Sequence, residues 1–138
     1  MHEISVLQKA VDLAEQTAID NNISRITYLT LEVGELSGYV PVFFHKYYPV
    51  ATENKPVFEG SELNIISVPG EALCRECSAM YNVMRNEGKC PKCGSRNKKI
   101  LGGQQFRVLE IGVAEPAESG EEDEYFLKEH RIDDGISE

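Results

Sequence analysis

Leu73-Cys74-Arg75-Glu76-Cys77 and Lys89-Cys90-Pro91-Lys92-Cys93-Gly94 set the frame for the whole 138-residue chain. The cysteines follow the pattern C-x2-C-x12-C-x2-C. Two cysteines three positions apart on a tight turn aim both sulfurs at one point. Two such turns supply the four thiolates that zinc accepts as a tetrahedron. Gly94, after the second pair, relaxes the turn where a side chain would crowd. With Cys74, Cys77, Cys90 and Cys93 filling every corner, no position remains for a catalytic water, so a structural role is expected. The span is too short to own a core, and the metal should provide much of its folding energy.

Outward from the cysteines, Pro69-Gly70 and Gly102-Gly103 border the module like hinges. Leu63 to Val68 before it and Gln105 to Val113 after it read as strands, so the zinc module is an insertion between two strands of one sheet. A third strand, Ile26 to Val33, alternates, with Thr27, Leu29, Leu31 and Val33 on one face. Ile4, Leu7, Val11, Ala14 and Ala18 recur at helical spacing and stop at Asp20-Asn21-Asn22. A second helix opens at Pro41, carries Phe43, Phe44, Tyr47 and Tyr48, and should kink or end at Pro49. The expected fold is therefore α+β: a three-stranded sheet with two helices (residues 1–69 and 104–114) and an inserted zinc-ribbon-like unit (residues 70–103).

The net charge of −9 is unevenly placed. Residues 115–138 hold ten carboxylates against Lys128 and Arg131, so that segment carries −8 and residues 1–114 only −1. Its run Ser119-Gly120-Glu121-Glu122-Asp123-Glu124 offers little to bury against the entropy of ordering, so a disordered acidic tail is expected. Tyr125-Phe126-Leu127 is its one apolar trio suited to docking. Met1-His2-Glu3 lacks the basic and apolar pattern of an export signal, and no apolar run reaches the ~20 residues of a membrane span. A soluble, cytoplasmic protein is expected. In a reducing compartment, paired cysteines are metal ligands more often than disulfides.

His2 raises a second metal chemistry. A bulky second residue blocks removal of the initiator methionine, leaving Met1 a free α-amine. That amine, the deprotonated His2 amide and the His2 imidazole form fused chelate rings in a plane, which suits Ni(II) or Cu(II). The Glu3 amide can close the fourth corner, or its carboxylate can approach axially. A histidine at position 2 is by itself a weak sign, because termini are usually unconstrained.

The order Met1-His2-Glu3-Ile4-Ser5, Val33-Gly34-Glu35-Leu36-Ser37-Gly38, Gly60-Ser61-Glu62-Leu63 and the two C-x2-C pairs resembles the HypA/HybF family of nickel-insertion accessory proteins, over about residues 1–114. The resemblance implies a nickel metallochaperone for [NiFe]-hydrogenase maturation, with a nickel-binding α/β domain and a zinc domain. It implies His2 as principal nickel ligand, with Met1 and Glu3 completing the set, and the four cysteines on zinc. It also implies a HypB-type nickel GTPase and the hydrogenase large subunit as partners. Two features depart from some members. Tyr39-Val40-Pro41 carries no acidic residue after the Gly-Glu-Leu-Ser motif, and Lys98-Lys99 stand where a histidine can flank the knuckles.

Against this stands a zinc-ribbon adaptor that contacts nucleic acid or protein through Arg85, Lys89, Lys92, Arg96, Lys98 and Lys99. Tyr81 is the only aromatic residue there for base stacking, so nucleic acid is not the expected partner. No nucleophile or carboxylate pair stands in a recognisable catalytic context, so no enzyme is expected. The expected state is a monomer or weak dimer that does not engage membranes.

Overall fold

The computed structural model describes residues 2–116 and 125–136. Helix α1 (His2–Asp20) buries Val6, Leu7, Ala10, Val11, Ala14 and Ala18. Ile4 lies at the edge of that stripe, at 39% exposure, because Val6 and Ala10 extend the buried face on the side away from it. The helix stops where Asn22 takes φ 55° and the Ile23 amide returns to the Ala18 carbonyl at 2.8 Å. An asparagine tolerates this left-handed conformation where most residues would strain.

Strand β1 (Arg25–Gly34) follows at once and packs under α1. Its alternation is broken between Ile26 and Tyr28, where the pairing register slips by one residue. The bulge lets Ile26, rather than Thr27, join Leu29, Leu31 and Val33 in the core. Helix α2 (Pro41–Ala51) then crosses to β2 (Glu62–Val68), which lies parallel to β1. Pro49 sits in the last turn of α2, two residues before its end at Ala51, so the amide it lacks interrupts the hydrogen-bond ladder only where the helix is about to stop. Phe44 and Tyr48 are its buried anchors, and Phe44 stacks on Phe106 with ring centroids 5.2 Å apart.

Three short strands follow: β3 (Glu71–Cys74), β4 (Met80–Asn82) and β5 (Lys98–Gly102). They form a separate sheet in the order β4-β3-β5, around a small core of Ala72, Cys74, Tyr81 and Cys90. The chain returns as β6 (Phe106–Pro116), antiparallel to β1.

The α+β class and the two helices agree with the sequence reading, but the large sheet has four strands rather than three, in the order β2-β1-β6-β7. Strand β7 (Tyr125–Gly135) comes from the acidic segment expected to be disordered, and pairs antiparallel with β6. Two causes act together. The outer edge of β6 has backbone donors and acceptors that need partners. Ile132 and Ile136 pack against the main core, and the Ile136 amide donates to the Phe106 carbonyl at 2.9 Å. The most acidic run of that segment, residues 118–124, lies outside the described residues. Among the described residues no helix is long and apolar enough to cross a membrane.

Candidate metal centre

The two cysteine pairs are built as two copies of one turn. In the first, the Cys74 amide donates to Ala79 O at 2.8 Å and the Ser78 amide to Cys74 O at 2.9 Å. In the second, the Cys90 amide donates to Ser95 O at 2.9 Å and the Gly94 amide to Cys90 O at 2.8 Å. The residue after each pair is left-handed, Ser78 at φ 62° and Gly94 at φ 74°. Glycine adopts that conformation freely and serine at some cost, which the matched hydrogen bonds offset.

These turns bring four sulfurs to one point. Cys74 Sγ lies 3.5 Å from Cys93 Sγ, Cys77 Sγ lies 3.5 Å from Cys90 Sγ, and all four fall within 4.8 Å of one another. A tetrahedron with Zn–S arms of about 2.3 Å has S···S edges of about 3.8 Å, so the cluster has the size of a zinc tetrathiolate. Cys74 and Cys90 are buried while Cys77 and Cys93 face solvent. The centre is therefore closed on the side of the small sheet and reachable from outside.

The sulfurs do not ionise alike. Burial pushes the Cys90 thiol up, yet the Cys93 and Lys92 amides and contacts with the Cys77 and Cys93 sulfurs together bring it down to about 6. The Ser95 amide favours the Cys93 thiolate, but contact with the Cys74 sulfur, burial and the other sulfurs raise it to about 12. Four sulfurs this close cannot all carry charge without a cation between them, and a dication resolves that conflict. Tyr81, packed beneath, has its phenol raised by burial and then by the neighbouring thiolates.

The other expected ligands stand apart from this cluster in the sequence. Met1 and the His2 side chain lie outside the described residues; the His2 backbone opens α1, and Glu3 is half-buried in its first turn. The only group of three or more metal-binding side chains among the described residues is the four-cysteine cluster. His45 is exposed on α2, and His130 is half-buried on β7 opposite Ile111. Sequence reasoning missed the role of Glu35. Its carboxylate bridges the two sheets, and a lone glutamate in a glycine-rich turn gives no periodic signal from which such a contact could be read.

Comparisons with known proteins bear on the whole arrangement. The family profile described as hydrogenase/urease nickel incorporation, metallochaperone, hypA matches residues 1–113. A hydrogenase maturation factor HypA of Albidiferax ferrireducens is 32% identical over 113 residues, covering 82% of this chain and 99% of that relative. The maturation factor HybF of Klebsiella pneumoniae is 34% identical over 111 residues, covering 80% of this chain and 97% of its own. The solution structure of the nickel metallochaperone HypA from Helicobacter pylori superposes with TM-score 0.55 at 27% identity, covering 79% of this chain and 94% of that one. A second HypA solution structure gives TM-score 0.57 at 29% identity, covering 80% and 94%. With its profile match spanning residues 1–113 and its four cysteines gathered in one cluster, the chain belongs to the HypA family of hydrogenase/urease nickel-incorporation metallochaperones.

Proposed function

We propose that this chain binds Ni(II) at its own N-terminus and hands it on for maturation of [NiFe]-hydrogenase, acting as a carrier and not as an enzyme. The α-amine of Met1, the amide and imidazole of His2 and the amide or carboxylate of Glu3 form the nickel site. One observation carries most of the weight: α1 opens at His2. The first four amides of a helix have no carbonyl partner within it. The His2 and Glu3 amides are therefore free of helical hydrogen bonds and available to exchange a proton for a metal. A planar nitrogen set favours Ni(II) by geometry, and reprotonation of amide and imidazole releases it, which suits a cargo site.

On the same reading, residues 1–69 and 104–114 form the nickel-binding α/β unit and residues 70–103 the zinc-binding unit. Cys74, Cys77, Cys90 and Cys93 hold a zinc ion that supplies folding energy to the small sheet and takes no part in chemistry. A HypB-type GTPase and the hydrogenase large subunit are the proposed partners, met in the cytoplasm. Calorimetric titration of Ni(II) tests the proposal. Protein with a native N-terminus should bind one ion tightly. His2→Ala and an N-terminal extension should both abolish that binding while zinc content stays at one per chain. Equal nickel affinity in all three proteins refutes it.

A further inference from the structure

The end of β1 is tied to both connections of the small sheet. Beyond the core of the strand, the Gly34 amide donates to Gln105 O at 2.8 Å, the Glu35 amide to Val68 O at 2.8 Å and the Leu36 amide to Gly103 O at 2.7 Å. The chain enters the small sheet just after Val68 and leaves it just before Gln105. Three glycines let these backbones cross in contact. A Cβ on Gly34 would collide with the Gly103 carbonyl, and one on Gly70 with the Leu36 side chain. One on Gly103 would sit 2.5 Å from Gly70 Cα.

The Glu35 side chain extends this crossing into the small sheet itself. Its Oε1 accepts the Gly70 amide at 3.0 Å and Asn82 Nδ2 at 3.2 Å. Asn82 closes β4, and its own Oδ1 accepts the Arg85 amide at 2.9 Å, which fixes the orientation of its amide group. Val83 N–H donates to Gly70 O at 2.8 Å, so the turn after β4 is bound to the same linker. Both bonds to Glu35 reach one oxygen. The contact therefore calls for an acceptor on an arm of this length, and not for a negative charge.

We propose that Glu35 is a positioning residue that locks the thiolate module in one orientation on the four-stranded sheet, turning two glycine linkers from hinges into a fixed joint. The lock rests on hydrogen bonds and backbone packing and does not depend on the nickel reading.

Nitrogen-15 relaxation on the zinc-loaded full chain reads the joint directly. In the native sequence, amides of residues 71–102 and of the large sheet should report one shared correlation time. Glu35→Ala should lower the value for 71–102 alone and speed proteolysis at residues 69–70 and 102–103 by about tenfold, the scale set by two modest hydrogen bonds. Glu35→Gln, which keeps the acceptor oxygen, should behave as the native chain, whereas a role as metal ligand or ionic contact would be lost in it. Asn82→Ala removes one arm of the same contact from the other side and should loosen the module to a lesser degree; it serves if Glu35→Ala does not fold. Two separate correlation times in the native chain overturn the proposal. So does a Glu35→Ala protein as rigid as native, or a Glu35→Gln protein as loose as Glu35→Ala. Zinc analysis at one ion per chain accompanies each variant.

Discussion

Gly102 and Gly103 are neighbours of the same type, yet the structure assigns them different tolerances. A Cβ on Gly102 meets nothing within 4 Å. At Gly103 the backbone has φ 93°, and a Cβ would lie 2.5 Å from Gly70 Cα and 2.6 Å from Pro69 O. Carbon atoms rest about 3.5–4.0 Å apart, so the crossing would have to open by roughly 1 Å. Its backbones are held by the Leu36–Gly103 and Glu35–Val68 hydrogen bonds, so it resists opening. The left-handed conformation costs an L-residue about 1–2 kcal/mol, and forced overpacking costs about 1–3 kcal/mol. Gly103→Ala should therefore lose about 2–5 kcal/mol, lowering the urea midpoint by roughly 1–2 M. Gly102→Ala should change stability by less than about 0.5 kcal/mol. Urea unfolding followed by circular dichroism, with zinc release to a chromophoric chelator recorded in parallel, compares the two. Equal effects at both positions would refute the close crossing and restore the reading of this dipeptide as a flexible hinge.

Three further outcomes follow from other parts of the molecule. Cys90→Ser should reduce zinc from one ion per chain to none and collapse the amide dispersion of residues 71–102, while amides of α1, β1 and β6 keep their shifts in NMR spectra. Deleting residues 117–138 removes β7 with the half-buried Ile132 and Ile136; urea unfolding should show a loss of about 2 kcal/mol, and analytical ultracentrifugation should show association through the exposed edge of β6. Glu110 on β6 supplies a pH test: burial and then the Glu129 charge raise its carboxyl above the ordinary value, and its Oε2 is buried with no hydrogen-bond partner among the described residues. Because the folded pKa is the higher one, Glu110 favours the fold below the unfolded value and loses that contribution as pH rises through the folded value. Glu110→Gln should accordingly raise the urea midpoint at pH 7, and the gain over native should disappear near pH 3.

The parts of this fold legible in the sequence are those with local, repeating causes. Leu7, Val11, Ala14 and Ala18 mark the buried stripe of α1 by spacing alone, and the four cysteines mark their cluster by spacing and chemistry. What was hidden depends on contacts distant in sequence. A bulge that places Ile26 rather than Thr27 in the core is set by pairing with β6, which follows some eighty residues later. Strand β7 is masked by its own acidity, because its apolar positions are few and the free edge of β6 lies in another part of the chain. Pro69-Gly70 and Gly102-Gly103 read as hinges because glycine signals either freedom or close approach, and only the crossing with Gly34 decides between them. Glu35 looks like one more surface carboxylate until Asn82 is seen opposite it.

The central claim is that nickel is gripped in a plane by the chain's own first residues. Visible absorption of Ni(II)-loaded, zinc-replete protein tests it most directly, comparing the native N-terminus with a chain extended by one glycine ahead of Met1. The account predicts a d–d band of planar, low-spin Ni(II) for the native chain, lost on acidification and altered or absent in the extended chain. An identical spectrum from both chains, or a six-coordinate spectrum from the native one, would contradict it.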